Sequence, residues 1–509
     1  MKITTLPTEF PPEIESLLQK KDEEITHLTK RVNWFEEQFR LLKSKHYAKS
    51  SETHNTLQLA LFDEDEENLE VDAEAGSTEE IAYTRKKPNR PQKNIDTTAL
   101  PREKRYIDLP DEEKQCACGA CMQKCGEQSK EELVFKPATF KVIEHIRIQY
   151  TCRKCETIKM AKAIELPILK SKAGSSLICE VMLNKYRYHL PFYRQSKVLK
   201  QAGLKIADNT MAGWVMQAAA QLEPLRTALF EQLSTVKALQ VDETPVKVLK
   251  PDKKAYMWLY HSYLPGKRFV IFDFSLGRSS EVVNARLKDF KGLLQTDGYS
   301  GYNTQRARED VVTLGCWDHA RRKFTDVVKV CGNNKSGKAG QMLKKISKLY
   351  GIEADLKTAS PEKRKAERQA TSKPLLESIK GFLDKINAPP RSLLGVAATY
   401  CKNQWDELTR YVDYGEANIS NCGVENQVRP FAVGRRNWLF VGNEGSASKA
   451  ALIYSLIQSC IMNDLDPRAY LEAVLDRVHD MRRKRIDPAT LLPHTINPAL
   501  LKKSGQRQV

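Results

Sequence analysis

The chain has 509 residues, a hydrophobic fraction of 41% and a formal net charge of +18 at pH 7. That length exceeds what one hydrophobic core serves, so two to four domains are expected. No apolar run is long enough to span a bilayer and the first residues carry no apolar signal core, so a cytoplasmic protein with no membrane contact is expected, and the excess of Lys and Arg points to a polyanionic partner.

Residues 1–60 open with a heptad. Ile14, Leu18, Ile25, Leu28, Val32, Phe35, Phe39 and Leu42 alternate in steps of three and four, with Lys21 off pattern. A seam this narrow suits a coiled coil that pairs two copies of the chain, or a helix laid on its own domain. Residues 61–105 are acidic and then basic: ten acids fall in 63–80, followed by Arg85, Lys86, Lys87, Arg90 and Lys93. Such a stretch cannot bury a core and reads as a disordered linker.

Residues 106–165 hold six of the twelve cysteines. Cys118 and Cys121 form one C-x-x-C pair and Cys152 and Cys155 another, with a strand-like alternation over 139–150 between them. Two such pairs on turns joined by a hairpin make a closed tetrahedral site for structural Zn²⁺. Cys116 and Cys125 are near enough to substitute in the first pair. The remaining cysteines, Cys179, Cys316, Cys331, Cys401, Cys422 and Cys460, read as buried thiols.

Residues 166–235 are helical in pattern. A helix over 175–188 is expected to start on a Ser cap, a second starts near Pro191, Gly203 interrupts it, and a third starts at an Asp or Asn cap near Asp208. A helix-turn-helix that reads DNA and a plain helical bundle both fit this pattern.

From 236 to 445 the period changes to that of an α/β core. Strands are expected over 238–248, 255–264 and 268–275, a helix over 280–289, a strand ending at Asp297, a helix over 299–308, a strand over 311–316 and a basic helix from His319. The order β-β-β-α-β-α-β-α is that of a ribonuclease-H-like fold, in which the first and fourth strands are neighbours and Asp242 would meet Asp297. Residues 331–410 read as a charged helical insertion, and 446–509 as C-terminal helices with a basic tail. Glu425 lies in a short polar helical stretch before Arg429-Pro430, where Arg429 shares its helix face as a DNA contact or an internal ion pair. Glu243 is expected on the opposite face of the strand from Asp242. Asp242, Asp297 and Glu425 are oxygen donors suited to Mg²⁺ or Mn²⁺, which in pairs can clamp a phosphodiester displacement. Arg435, Arg436 and Trp438 suit contact with phosphate and base, or a basic structural turn.

Several motifs occur in order: Val241-Asp242-Glu243-Thr244-Pro245, Thr296-Asp297-Gly298-Tyr299, Trp317-Asp318-His319-Ala320-Arg321-Arg322-Lys323-Phe324, and Glu425 through Arg429-Pro430 to Gly434-Arg435-Arg436-Asn437-Trp438-Leu439-Phe440. Together they resemble the transposases of the bacterial insertion sequence 66 family. Lys185-Tyr186 with His189-Leu190-Pro191-Phe192-Tyr193-Arg194-Gln195 resembles that family's helical DNA-binding region. The cysteine unit, the N-terminal helix and Leu491-Leu492-Pro493 resemble its zinc-binding, zipper-like and C-terminal parts. Asn426 stands where the family commonly has Arg, and Asp318 where Ala is common.

The resemblance implies a DDE transposase, bacterial and nucleoid-associated. Asp242, Asp297 and Glu425 would be its metal-binding triad, acting on double-stranded DNA at element ends and target, with accessory proteins of the same element as further partners. Lys185, Arg194, His319, Arg321, Arg429, Arg435, Arg436 and Trp438 are then the expected DNA contacts. A non-catalytic zinc-containing repressor and a metal-dependent nuclease are the alternatives.

Overall fold

The computed structural model describes residues 171–501 except 251–252 and 332–336, and before them only parts of 19–39 and 140–169. The linker at 61–105 and Cys118, Cys121, Cys152 and Cys155 lie outside the described residues. Residues 19–25 are helical, and the heptad side chains Ile25, Leu28, Val32, Phe35 and Phe39 are exposed. Strand β1 (Gln149–Thr151) pairs antiparallel with β2 (Ile158–Met160). Among the described residues, the alternation read over 139–150 yields strand only at its end. Val142, Ile143 and Ile146 are exposed.

Four helices follow: α1 (Ser175–Tyr186), α2 (Phe192–Gln201), α3 (Asp208–Gln221) and α4 (Glu223–Glu231). Gly203, at φ 86°, supplies the turn between α2 and α3. The expected side-chain caps are absent. Gly174 caps α1 while the Ser175 hydroxyl donates to Asp476, and Asp208 is the first residue of α3 rather than its cap. In both cases the polar side chain has another partner: Asp208 Oδ1 accepts the neighbouring Asn209 N–H at 2.9 Å.

The sheet comprises β3 (Ala238–Lys250), β4 (Lys253–Ser262), β5 (Phe269–Ser275), β6 (Gly292–Gln295), β7 (Val311–Leu314) and β8 (Val441–Asn443). Its order is β5-β4-β3-β6-β7, with β8 pairing the far end of β3. The first three strands form an antiparallel meander. Helix α5 (Ser280–Leu287) crosses to β6, which runs parallel to β3, and β7 runs parallel to β6. The helix expected over 299–308 is only a 3₁₀ turn and the four-residue α6 (Asn303–Arg306). The chain there is tied down instead by Arg308, which donates to the carbonyls of Leu287 and Phe290 at 2.6 and 2.7 Å. Helix α7 (Trp317–Val330) follows β7.

Between α7 and the next sheet-facing helix run α8 (Lys338–Asp355), α9 (Pro361–Glu367), α10 (Lys373–Asp384), α11 (Leu393–Asn403) and α12 (Trp405–Thr409). Their apolar faces extend a core that begins at Leu293, Leu314, Trp317 and Phe324. A buried cation holds this segment closed. Arg368 is wholly buried. Its guanidinium pairs with both oxygens of Glu353 at 2.8 and 2.6 Å and donates to the carbonyls of Tyr411, Tyr414 and Ala417.

Helix α13 (Cys422–Trp438) is longer than the short stretch read around Glu425, because it runs through Pro430. The carbonyl that proline leaves without a donor belongs to Asn426, which is exposed and can turn to water. Helix α14 (Glu444–Met462) starts earlier than read, at a capping box of Asn443 and Ser446. It is buried nearly all round and covers the edge strand β5. Ser455 and Ser459 accept the N–H groups of Phe272 and Val270 at 2.8 and 3.0 Å, and Asn463 donates to Arg268 O at 2.7 Å. Four helical residues rise about 6.0 Å and two strand residues about 6.6 Å, so a polar side chain every fourth position matches every second strand residue. The edge of β5 is thereby closed to a further strand. Helices α15 (Pro467–Leu475) and α16 (Val478–Arg482) and two 3₁₀ turns, Pro488–Leu491 and Pro498–Leu500, complete the described C-terminal region. Two cysteines depart from the buried-thiol reading: Cys331, at the C-cap of α7, is exposed, and Cys422 is half-buried.

Arg368→Ala should cost about 3–5 kcal/mol, because it removes the close partner of Glu353 and leaves that carboxylate only Arg364, at 3.8 Å. Denaturant unfolding of the full chain measures this; a loss below about 1 kcal/mol would show the pair to be dispensable.

Candidate active site

The site forms where β3 and β6 part. Their parallel register pairs Ala238 with Leu293, Leu239 with Leu294 and Gln240 with Gln295, and β6 ends there. Asp242 and Asp297 each lie two residues past that last pair. Side chains two apart share a face of a strand, so both acids stand on the face of the two glutamines.

The glutamines form a buried platform. Gln240 Nε2 donates to Gln295 Oε1 at 2.8 Å and to Ser420 O at 3.0 Å. Gln295 Nε2 donates to the carbonyls of Gly315 and Asn418. Gln240 Oε1 accepts the Val424 N–H at 3.1 Å, in the first turn of α13, and lies 2.9 Å from His261 Nδ1. Asn421 Nδ2 donates to Val241 O at 3.0 Å. These bonds dock the start of α13 on β3 and bring Glu425 to the two aspartates. The approach is so close that a Cβ on Gly423 would stand 2.3 Å from Gln240 Oε1 and 2.8 Å from His261 Cε1.

Pro245 is allowed in this inner strand for a related reason. Its carbonyl accepts from Arg435 on the side of β3 facing α13, and Thr244 Oγ1 lies 3.4 Å from the same guanidinium. A strand residue's N and O point to the same side, so the missing N–H faces a stretch where no strand pairs.

Burial and neighbouring acids raise two of the carboxyl groups, Asp242 and Glu243. The carboxyl of Asp242 is held well above the usual range, first by burial and then by Glu243, Glu425 and Asp297. Only the Glu243 N–H, 2.9 Å from Asp242 Oδ1, opposes this. Burial and Asp297 likewise raise Glu243, while Arg278 and Tyr302 hold it down. Arg278 Nε donates to Glu243 Oε1 at 2.6 Å, Tyr302 Oη to Oε2 at 2.9 Å, and the Arg278 guanidinium stacks 3.9 Å from the Tyr299 ring centre. Asp297 is fixed at its backbone by Tyr400 and accepts the Tyr299 N–H at 2.8 Å.

Glu425 is buried. Its Oε2 lies 3.4 Å from Arg322 and its Oε1 3.7 Å from His319 Nδ1, and that Oε1 has no hydrogen-bond partner. Arg322, not Arg429, is therefore the cation paired with it. A buried carboxylate oxygen without a donor, beside further acids, is the arrangement a bound cation relieves. The donor set of Asp242, Asp297 and Glu425 fits Mg²⁺ or Mn²⁺.

The structure thus brings together Asp242, Asp297, Glu425 and His319. Arg321 lies on the same helix, 3.1 Å from Asp318 and over the Tyr350 ring. Arg429 is half-buried and Arg436 exposed on α13. Trp438 ends that helix against Phe431, with the Lys185 ammonium 6.0 Å from its ring centre and 4.6 Å from that of Phe192. Burial pushes the Lys185 amine down to about 8. Arg194 is exposed on α2. Gln240, Gln295, Asn421 and Arg278 are the site's supports that reading the sequence missed. A signal existed: Gln240-Val241-Asp242 and Gln295-Thr296-Asp297 repeat one Gln-x-Asp spacing where β3 and β6 part.

Comparison with known families decides the assignment. Residues 170–449 match the model described as Transposase IS66 family. The chain belongs to the IS66 family of transposases. Residues 113–156 match the zinc-finger binding domain of transposase IS66, 455–494 the IS66 C-terminal element, and 34–105 the model described as Transposase C of IS166 homeodomain. Among curated relatives, uncharacterized protein y4jD of Sinorhizobium fredii is 30% identical over 406 residues, covering 76% of this chain and 79% of the relative. Uncharacterized protein y4hP of the same organism is 29% identical over 446 residues, covering 82% and 79%. The IS66 assignment carries a transposase role, with zinc-binding and DNA-binding parts, and no helix among the described residues is long and apolar enough to cross a membrane.

Two outcomes test this geometry. Asp242→Asn removes one of the mutually repelling acids, so in Mg²⁺-free buffer it should raise Tm, by about 2–4 °C if the relief is worth about 1 kcal/mol; an unchanged or lower Tm would mean that the acids do not strain the fold. Gly423→Ala should lose about 1–3 kcal/mol by overpacking against Gln240, measured by denaturant unfolding. An unchanged midpoint would mean that the helix does not press on the glutamine platform.

Proposed function

We propose that this IS66 transposase cuts and joins DNA on a ribonuclease-H-like core, with Asp242, Asp297 and Glu425 as a DDE triad. The observation that carries this reading is the convergence of the three carboxylates with Glu425 Oε1 left without a donor. The side-by-side first and fourth strands support the ribonuclease-H-like reading of the sheet. Divalent ions bound by the triad would supply an activated nucleophile and charge stabilisation at phosphate.

The chain's own residues have separate tasks. The glutamine platform fixes how far apart Asp242, Asp297 and Glu425 stand. Arg278 neutralises Glu243, so that three acids rather than four face the cations. Arg322 holds one oxygen of Glu425 and leaves the other for a ligand. In the first step water attacks the phosphodiester at an element end, the P–O3′ bond breaks and a 3′-hydroxyl is released. In the second step that hydroxyl attacks a target phosphodiester, and the target's own 3′-oxygen leaves.

Around this centre, Lys185, Arg194, His319, Arg321, Arg429, Arg435, Arg436 and Trp438 are the proposed DNA contacts. Cys118, Cys121, Cys152 and Cys155 are the proposed zinc ligands of a unit that helps bind the terminal inverted repeats. The exposed heptad side chains of the N-terminal helix support self-pairing of two copies as a coiled coil. We read the chain as a zipper-like segment at 1–60, a linker at 61–105, a zinc unit at 106–165, a DNA-binding region at 166–235, the core at 236–445 and a C-terminal part at 446–509.

The test is incubation of the full chain with Mg²⁺, duplexes bearing the element's ends, and target DNA. Joined products should appear with the wild type and fall to background in Asp242→Asn, Asp297→Asn and Glu425→Gln. Cleavage without joining would favour a nuclease, end binding without cleavage a repressor, and full joining by Glu425→Gln would remove it from the triad.

A further inference from the structure

The Cys316 thiol, one of the cysteines read as an inert buried group, lies beside the third carboxylate. Cys316 is the N-cap residue of α7 and is wholly buried. Its sulfur accepts the Asn421 N–H at 3.2 Å, the same asparagine that ties α13 to β3. His319, one turn along α7, has its Nδ1 3.7 Å from Glu425 Oε1. Both of those atoms are buried, and neither has a hydrogen-bond partner. One ligand atom each from Cys316, His319 and Glu425 lie within 4.8 Å of one another.

Sulfur, imidazole nitrogen and carboxylate oxygen are a donor set for a borderline or soft ion. Mg²⁺ takes oxygen ligands, whereas Zn²⁺ and Cd²⁺ favour thiolate. Usual Zn²⁺ bond lengths in a tetrahedron set donors about 3.3–3.8 Å apart, so the trio closes on an ion by side-chain shifts of about an ångström. Three protein ligands leave a fourth position for water or phosphate. Burial, Glu425 and Asp318 push the Cys316 thiol well up, against the N–H groups of Asn421 and His319, so an ion must displace its proton to bind.

We propose that Cys316, His319 and Glu425 form a second cation site, selective for thiophilic divalent ions such as Zn²⁺ and Cd²⁺. Binding forms a metal–sulfur bond and releases the thiol proton to solvent. It also turns Glu425 toward α7, away from Asp242 and Asp297, so the site acts as an inhibitory switch. The inhibition rests on the DDE reading above; the binding does not.

Cadmium added to the full-length protein provides the direct test, read by the ultraviolet Cd²⁺–thiolate absorption. Wild type should bind one more equivalent with thiolate absorption than Cys316→Ser, the cysteines of the zinc unit being common to both. Loss of a residue that merely supports a ligand costs about 10–100-fold in affinity, so Glu425→Gln and His319→Ala should weaken this extra equivalent at least that much, and Asp242→Asn should leave it intact. Equal stoichiometry and absorption in wild type and Cys316→Ser would overturn the site. So would equal weakening by Asp242→Asn and Glu425→Gln, which would place the ion among the carboxylates. In the Mg²⁺-dependent joining assay, Zn²⁺ should inhibit Cys316→Ser at least tenfold less strongly than wild type. If no joining is seen at all, the cadmium result still decides the site while the DDE reading fails separately.

Discussion

Three acids that repel one another must be held together by groups that carry no charge. In this chain the task falls to two buried glutamines. An ion pair beneath the carboxylates would have shifted their charge and competed with a cation for them. Neutral amides bond in both directions, so Gln240 can donate to Gln295 and Ser420 while accepting from Val424. Every bond is made in a dry setting, where a missing one would cost about 1–3 kcal/mol. The separation of β3 and β6, the start of α13 and the position of Glu425 all follow from that pair.

The same constraint explains how distant parts of the chain bear on the site. Helix α13 is gripped at its start by the glutamines and near its end by the helical region, where Lys185 lies over Trp438. Between these ends Phe431 packs against Tyr454 of α14, and Tyr454 meets Tyr186 of α1 at 5.3 Å. Helix α14 is in turn pinned to β5 by its serine ladder. One aromatic and hydrogen-bonded layer therefore joins the helices that precede the sheet to the helix that carries Glu425. A shift of α1 on binding a partner would be transmitted to α13 through side chains already in contact.

The sheet was legible because its strands are apolar runs with turn residues between them, and a parallel crossover leaves few ways to arrange β6 beside β3. Asp242 and Asp297 followed from that arrangement, and the Gln-x-Asp repeat would have strengthened it. Glu425 was not legible in the same way. It lies far along the chain, in a helix whose docking depends on Gly423 having no side chain and on a glutamine in another element; no local period records such a contact. The helix caps failed for a similar reason, since Ser175 is taken up by Asp476, from the other end of the chain. Propensity describes a residue's neighbours in sequence, and these positions are decided by neighbours in space.

Glu425 shows what that costs and what it permits. Asp242 and Asp297 stand where β3 and β6 part and offer carboxylate oxygens, which suit a hard cation. Glu425 comes from a helix that crosses to α7, and there its partners are Arg322, His319 and Cys316. One of its oxygens is committed to a guanidinium and the other faces an imidazole and a thiol. On the two proposals above, the residue that completes a hard-metal triad would also be the edge of a softer one. Because both arrangements would draw on the same oxygen, they would exclude each other, and the chemistry of the ion would decide which one the residue serves.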